Sequence, residues 1–305
     1  MHSDAPMIAL VGQTASGKSS LAMALAQNEG EILSCDSVQL YRGFDIGSAK
    51  PRVKEQAQVP HHMIDMATWQ ENIDAADYVA GALSAIEDMR IRGVRPILCG
   101  GSGLYLRALR FGLIDGPEAD PALRAELENA EHENPGSLFK RLQELDPQGA
   151  AMADAHNKRR LLRDVEICIL AKRPVSEIRA EHAFAGEKVA MQLFALRWSD
   201  DVLRERIVAR TKAMLDNGLL DEVEGLLQSG VLPECKPMQS VGYKEACAVL
   251  TKGASKDELA AEIEANTWTL ARRQRTWFKK EKGVEWLDVE NIEQALKEVE
   301  KRVGE

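Results

Sequence analysis

A short apolar run followed by a glycine-rich turn constrains this chain more than any other feature. Met7–Val11 is entirely apolar, and residues 12–19 satisfy the pattern G-x-x-x-x-G-K-[ST] before a segment with helical character at 19–27. Glycines let such a turn curl with several N–H groups pointing inward, and the helix N-terminus adds positive charge. The turn therefore predicts a diphosphate cradle, with Mg²⁺ held by Ser19 through the diphosphate, formed by Gly12, Gln13, Thr14, Ala15, Ser16, Gly17, Lys18 and Ser19.

The rest of the chain alternates short apolar strands with helices. This alternation predicts an α/β fold, a P-loop NTPase-like parallel sheet flanked by helices on both faces. Residues 114–156 differ, because they are rich in acids, alanines and prolines and contain no convincing strand. We predict a small helical insertion domain there, with its far boundary open, and a core domain formed by 1–113 and 157–305. The further strand candidates are 31–35, 95–99, 191–196 and 284–287, and the clearest helix is 75–92.

Composition indicates the class of protein and the compartment in which it is expected. Hydrophobic residues make up 45% of the 305 residues and charged residues 29%, as in ordinary globular proteins. No run of about 18 apolar residues predicts a membrane span, and the N-terminus lacks the features of a signal peptide. Five scattered cysteines without a Cys-x-x-Cys pair disfavour a zinc site or a disulfide framework. We therefore expect a cytoplasmic protein, and a monomer.

Polar residues follow two of the predicted strands. Ligands of open parallel sheets bind beyond the carboxyl ends of the strands, so Asp36 and Ser102 should face the same crevice as the cradle. Asp36 could accept a proton or hold Mg²⁺, or it could cap a turn. Ser102 could donate to a leaving oxygen, or it could cap the next helix. His61 and His62 lack partners at metal-ligand spacing, which favours a structural role.

The formal net charge of −9 argues against a nucleic-acid partner unless basic residues cluster, and here they do. One cluster lies at 158–163, a pair is formed by Arg206 and Arg210, and a third cluster at 272–280 combines five basic residues with Trp277 and Phe278. Basic and aromatic residues together suit RNA phosphates and splayed bases. The alternative for each cluster is a solvated helix face, with both aromatic residues in the core.

Six blocks stand in order along the chain: the cradle and residues 36–51, 60–65, 100–105, 241–245 and 272–278. Together they resemble the tRNA dimethylallyltransferase (tRNA isopentenyltransferase) family of the bacterial type. Gln13 departs from the proline usual in the family, Ser19 and Ser102 replace threonines but keep the hydroxyl, and 116–156 matches poorly.

The resemblance implies a reaction, its substrates and its residues. A dimethylallyl group moves from dimethylallyl diphosphate to the exocyclic amine of the adenine 3′-adjacent to the anticodon, with Mg²⁺ as cofactor and the anticodon stem-loop of tRNA as partner. Asp36 would accept the proton, and Lys18, Ser102 and Arg210 would neutralise the departing diphosphate. The resemblance places tRNA contacts at Asp36, Ser37, Val38, Gln39, Ser102, Arg124, Arg159, Arg160, Leu161, Leu162, Arg163, Gln239, Ser240, Val241, Gly242, Tyr243, Lys244, Arg272, Arg273, Gln274, Arg275, Thr276, Trp277, Phe278 and Lys279.

Three other functions share parts of this pattern. A small-molecule P-loop kinase would explain the cradle and the sheet but not the basic and aromatic cluster. An isopentenyltransferase acting on free adenine nucleotides would not need RNA-binding surfaces. A non-catalytic RNA-binding module would have no use for an intact Lys18, Ser19 and Asp36.

Overall fold

The computed structural model describes residues 6–27, 30–114, 116–183 and 186–304. Within these ranges the strands form one parallel sheet. They are β1 (Met7–Val11), β2 (Gly30–Cys35), β3 (His61–His62), β4 (Arg95–Gly100), β5 (Met191–Arg197) and β6 (Val284–Asp288). Their order is β3-β2-β4-β1-β5-β6. In the centre, Ala9 of β1 pairs with Leu98 of β4 on one side and with Leu193 of β5 on the other.

Helices that lie outside residues 111–187 cover both faces of this sheet. The α-helices in chain order are α1 (Lys18–Ala26), α2 (Val53–Gln58), α3 (Ala75–Ile91), α4 (Gly103–Phe111), α5 (Pro121–Glu133), α6 (Ser137–Leu145), α7 (Pro147–Ala151), α8 (Lys158–Ala171), α9 (Val175–Ala183), α10 (Asp200–Asp216), α11 (Leu219–Gln228), α12 (Tyr243–Lys252), α13 (Leu259–Lys280) and α14 (Ile292–Gly304). A 3₁₀ turn lies at Pro237–Gln239. Over the described ranges, no helix has the length and apolar character required to cross a membrane.

Successive side chains of the central strand β1 point to opposite faces of the sheet, so they pack into two separate parts of the core. Met7, Ala9 and Val11 pack into one cluster, which includes residues of α3, α4 and α11–α13. Ile8 and Leu10 pack into the other, with residues of α1 and α14. Successive side chains of a strand point to opposite faces, so a strand that is apolar throughout must be covered on both sides. The predicted fold class is confirmed.

The edge strand β3 is the element that the sequence pattern did not reveal, because two residues are too short for any periodicity. His61 and His62 pair with Ile32 and Leu33 of β2. The His62 ring nitrogen Nε2 lies 2.6 Å from Glu31 Oε2, and Arg92 donates to both Glu31 oxygens at 2.6 and 2.7 Å. These bonds, the one from Arg92 first, lower the pKa of Glu31 to about 2. His61 and His62 therefore form the strand at this edge of the sheet.

The chain divides into two compact units, the first comprising Met1–Arg110 with Lys188–Glu305 and the second Phe111–Glu187. The second unit contains α5–α9 and no strand within its described residues. It continues past position 156, the end expected for the insertion, because α8 and α9 carry half of its apolar core. That core includes Leu127, Leu138, Leu142, Leu161, Val165, Val175 and Ile178.

Candidate active site

The cradle forms at the end of β1, where the backbone makes three left-handed steps before α1. Gly12 has φ of 115°, Ala15 of 60° and Gly17 of 94°. The positive φ of Gly17 favours glycine, and a Cβ atom there would also lie 2.6 Å from Ile292 Cδ1 and displace the end of that side chain. Lys18 begins α1, is buried, and donates from Nζ to the Gln13 carbonyl. Burial lowers the pKa of Lys18 to about 8.

Side chains from later parts of the chain hold the cradle loop. Thr14 N donates to Gln274 Oε1 at 2.7 Å, and Gln13 Nε2 donates to Ala271 O at 3.3 Å. Arg206 Nε donates to Ala15 O and Trp198 Nε1 to Ser16 O, both at 2.8 Å. The Arg206 guanidinium also lies 4.6 Å from the centroid of the Trp198 ring. Sequence reasoning missed Trp198, for which no motif gave a signal, and it noted Arg206 only as part of a basic pair.

The cradle opens into a cavity of about 570 Å³ that also contains Asp36 and Arg210. Asp36 Oδ1 accepts from Val38 N at 2.8 Å and from Gln39 N at 3.3 Å. The carboxylate therefore both caps its turn and faces the cavity, and Oδ2 has no hydrogen bond to the residues that the structure describes. Burial lowers the pKa of Arg210, and the charge of Asp36 acts in the opposite direction. Apolar parts of the lining come from Met23, Ile32, Val38, Met214, Val241, Ile263 and Leu270.

Ser102 follows two residues of the cavity lining but is not itself part of that lining. Gly100 and Gly101 are in the lining, whereas Ser102 itself directly precedes α4. Its N–H donates to Cys35 O at 3.1 Å, and its carbonyl accepts from Leu106 N at 3.0 Å. The backbone of Ser102 thus ties the start of α4 to the end of β2.

The side-chain amide of Gln39 stabilises the turn that follows β2. Gln39 Oε1 accepts from Ser34 Oγ at 2.8 Å, and Gln39 Nε2 donates to the carbonyls of Ser48 and Ala49 at 3.3 and 3.2 Å. Both functional groups of Gln39 are therefore engaged within the protein. Ser37 and Val38 lie on this turn and are half-buried.

A half-buried acid and a buried tyrosine position the neighbouring loop at residues 45–47. Glu222 of α11 accepts from the N–H groups of Asp45, Ile46 and Gly47 and, at 2.6 Å, from the Tyr243 hydroxyl. Tyr243 is fully buried, and a Cβ atom on Gly47 would lie 2.5 Å from its ring. Tyr243 therefore supports the loop from inside. Of the other residues at 239–244, Gln239 and Lys244 are exposed, Gly242 is buried, and Ser240 and Val241 line the cavity.

The C-terminal half of α13 presents different residues on different sides. Arg272, Arg273, Thr276 and Lys279 are exposed, whereas Phe278 is buried in the core. Arg275 donates to Asp200 at 2.5 Å, and Trp277 lies under the Arg107 guanidinium at 5.7 Å. The alternative that placed aromatic residues in the core therefore applies to Phe278. The exposed basic residues of this helix are Arg272, Arg273, Lys279 and Lys280.

Within the second unit, most of the basic residues that were expected to contact tRNA bind buried carboxylates instead. Glu166 is fully buried and accepts from Arg124 at 2.9 and 3.0 Å and from Arg163 at 2.5 Å. Burial alone would raise the pKa of Glu166, but these hydrogen bonds lower it below its ordinary value. Arg160 lies 3.7 Å from Asp164, and Arg159 is exposed. Leu161 and Leu162 pack in the apolar core of the unit.

The cavity suits Mg²⁺ only in combination with a bound diphosphate. Ser19 and Asp36 both line it and offer a hydroxyl and a carboxylate, the hard oxygen ligands that Mg²⁺ prefers. Among the described residues, no group of three or more His, Cys, Asp and Glu side chains could hold a metal ion. The remaining ligands would therefore come from phosphate oxygens and water, which fits the predicted role of Ser19.

Comparisons with known proteins agree with this geometry. The family model for IPP transferase matches residues 39–281. The chain is 41% identical to tRNA dimethylallyltransferase 2 of Geotalea uraniireducens over 92% of both chains. It is 43% identical to tRNA dimethylallyltransferase 1 of Trichlorobacter lovleyi, over 92% of this chain and 93% of that one.

Two solved structures share the fold. The tRNA isopentenylpyrophosphate transferase of Bacillus halodurans is 33% identical, with a TM-score of 0.72, and the match covers 98% of this chain and 95% of the other. A eukaryotic dimethylallyltransferase acting on tRNA is 27% identical, with a TM-score of 0.85, and the match covers 98% of this chain and 77% of the other. The predicted family resemblance is confirmed.

Proposed function

This chain belongs to the IPP transferase family, and on that premise we propose that it transfers the dimethylallyl group of dimethylallyl diphosphate to the exocyclic amine of the adenine 3′-adjacent to the anticodon of tRNA, releasing diphosphate. One observation carries the proposal for these residues. The phosphate cradle, the Asp36 carboxylate and the Arg210 guanidinium line a single cavity. A leaving diphosphate and an amine that loses a proton need these three groups close together.

The cradle binds and stabilises the diphosphate. Inward N–H groups and the N-terminus of α1 attract its oxygens, and Lys18 Nζ leaves the Gln13 carbonyl to contact it. As the C–O bond of the donor breaks, negative charge moves onto the departing diphosphate. Lys18 and Arg210 offset that charge inside the cavity, where few water molecules weaken the attraction. Ser102, which follows the lining residue Gly101, supplies a hydroxyl to the same leaving group.

Asp36 accepts the proton. An aromatic amine is a very weak acid, so the new N–C bond must begin to form before the nitrogen releases its proton. The N–H groups of Val38 and Gln39 hold Asp36 Oδ1, which orients the carboxylate and leaves Oδ2 to take the proton. The products are the prenylated adenine, protonated Asp36 and diphosphate, so atoms and charges balance.

The acceptor reaches this cavity only when the adenine leaves the stack of the anticodon loop. The exposed basic residues of α13 bind the RNA backbone through phosphate contacts, which supply most of the affinity without reading the sequence. Ser19 would hold Mg²⁺ through the bound diphosphate, and the ion would supply further positive charge to the diphosphate.

The test is incubation of the protein with labelled dimethylallyl diphosphate, Mg²⁺ and unmodified tRNA. We expect label in the tRNA, located at the adenine next to the anticodon. ATP offered as donor in place of dimethylallyl diphosphate should transfer no phosphate, and AMP offered as acceptor should gain no label. Labelling of free AMP instead of tRNA would favour the nucleotide isopentenyltransferase, and phosphate transfer from ATP would favour a kinase.

A further inference from the structure

Gln274 lies among the basic residues of α13 but does not face outward with them. It is half-buried and lines the cavity that contains Lys18 and Asp36, whereas Arg272 and Arg273 beside it are exposed. Its neighbour Arg275 is held by Asp200. Gln274 is therefore placed to act on the donor cavity rather than on the surface of the helix.

The side-chain amide of Gln274 joins two separate turns of the chain. Its oxygen Oε1 accepts from Thr14 N, in the cradle after β1, at 2.7 Å, and its Nε2 donates to Gly101 O, in the turn after β4, at 3.2 Å. These turns follow neighbouring parallel strands. One amide, with a donor on one side and an acceptor on the other, sets the spacing between them. Among uncharged side chains, only Gln has this length and both functions.

The backbone after β4 lies close to Gln274 and to Trp277 of the same helix. A Cβ atom on Gly101 would lie 2.2 Å from Gln274 Nε2, and one on Gly103 would lie 2.4 Å from Trp277 Cδ2. The backbone after β4 thus passes directly against one side of α13. On the cradle side, Gln13 adds a second link through its bond to Ala271 O, at the position where the family usually has proline.

We infer that Gln274 is a positioning residue that braces the phosphate cradle against the Gly101 turn, so that the loop is ordered before the donor arrives. This role rests on the proposed function and differs from the tRNA contact that the family resemblance assigns to Gln274. A loop that is already ordered loses less conformational freedom when the diphosphate binds. Removal of the brace should therefore weaken donor binding and slow transfer, and it should leave RNA affinity unchanged.

The test uses Gln274→Met, which has similar length and volume but makes neither hydrogen bond. Titration with dimethylallyl diphosphate and Mg²⁺, without tRNA, should show a dissociation constant about tenfold higher, since each of the two hydrogen bonds contributes about a factor of three. The amide of Thr14 should exchange its hydrogen faster, while the variant stays folded and its dissociation constant for tRNA stays at the wild-type value. The matched variant Arg273→Ala, on the same helix, should instead weaken tRNA binding and leave donor affinity at its wild-type value.

Gln274→Glu is a second, isosteric variant that covers the case in which Gln274→Met fails to fold. It keeps an acceptor for Thr14 N but sets a carboxylate against the Gly101 carbonyl and the diphosphate, so donor affinity should again fall. Wild-type donor affinity in either folded variant, or a loss confined to tRNA affinity, would overturn the inference. A wild-type protein that neither binds dimethylallyl diphosphate nor labels tRNA would instead refute the proposed function.

Discussion

Three charged side chains in one cavity account for the proposed chemistry at the scale of residues. Lys18 and Arg210 both have lowered pKa values, first because they are buried. Burial removes water from the Lys18 ammonium group, and its hydrogen bond to the Gln13 carbonyl partly replaces that water. Asp36 supplies an opposing charge. Burial of cations without a phosphate is unfavourable, so the cavity is prepared for an anion whose binding removes that penalty.

Donor binding should therefore depend on pH through Lys18. The pKa of Lys18 in the free protein is lowered to about 8, so the charged form is lost as the pH rises through that value. The dissociation constant for dimethylallyl diphosphate should rise by about tenfold per pH unit above that pKa, since one proton must be regained on binding. Titrations between pH 7 and 10 measure this. Lys18→Met should bind roughly 10- to 100-fold more weakly with a flat profile, and a sloping profile in that variant would assign the titration to another group.

Asp36→Asn separates proton transfer from binding. Asparagine keeps the size and can still accept from the N–H groups of Val38 and Gln39, but it cannot take the amine proton. The single-turnover rate should fall by about 10²–10⁴, as is typical for loss of a general base. Donor affinity should stay near the wild-type value and tRNA affinity should fall slightly. A normal rate would refute the role in proton transfer, and an equal loss of rate and donor affinity would make Asp36 a residue that organises Mg²⁺ and diphosphate.

At the scale of elements, α13 combines functions that its sequence presents as one cluster. Its sides successively offer exposed arginines, the cradle-binding Gln274 and the buried Phe278. Residues three or four apart share a side of a helix, so a run of nine residues necessarily faces in all directions. Only part of the basic cluster is therefore available to RNA.

Arg272→Ala combined with Arg273→Ala should weaken tRNA binding and reduce its salt dependence. Each phosphate that the protein no longer neutralises lowers the slope of log K against log salt by about 0.7–0.9, so the pair should flatten it by about 1.5. Filter binding across a series of salt concentrations measures the slope. Arg275→Ala is the matched control, because Arg275 is held by Asp200 and should change the slope less. An unchanged slope in the double variant would mean that this side of α13 is merely solvated.

At the scale of the whole molecule, the two units have separate apolar cores. The second unit also contains buried carboxylates, and one of them, Glu166, holds Arg124 and Arg163 and the N–H of Asp120. Breaking a buried pair leaves its partners without the charge that offset their desolvation. The stability of the second unit should therefore depend in part on the Glu166 carboxylate.

Glu166→Gln should lower the free energy of unfolding of the second unit by about 3 kcal/mol. Donor affinity in the first unit should stay unchanged. Because the folded pKa of Glu166 is lowered, its stabilisation is complete above the ordinary glutamate pKa of about 4.3 and is lost as the pH falls through the folded value. The difference between variant and wild type in urea unfolding should shrink over that range. Glu144→Gln, in an exposed pair with Arg141, should cost less than about 0.5 kcal/mol.

The sequence by itself determined the central sheet, the cradle and the family. Apolar runs that must be covered on both faces predict parallel strands, and the expected strands lie within a residue or so of those observed. Gly12 to Ser19 is a local motif whose backbone geometry follows from its glycines, so it needs no distant partner to be recognised. The strand β3 was not predicted, because a strand of two residues is too short to show a periodic pattern.

Tertiary structure alone decided which residues hold the cradle and which basic residues remain exposed. Gln274 and Thr14 are 260 positions apart, and Trp198 and Ser16 are 182 apart. Nothing in a local pattern distinguishes an arginine that faces RNA from one that binds a buried carboxylate, as Arg124 and Arg163 do. The direction of a side chain on a helix depends on what packs against that helix, and that packing is set by contacts distant in sequence.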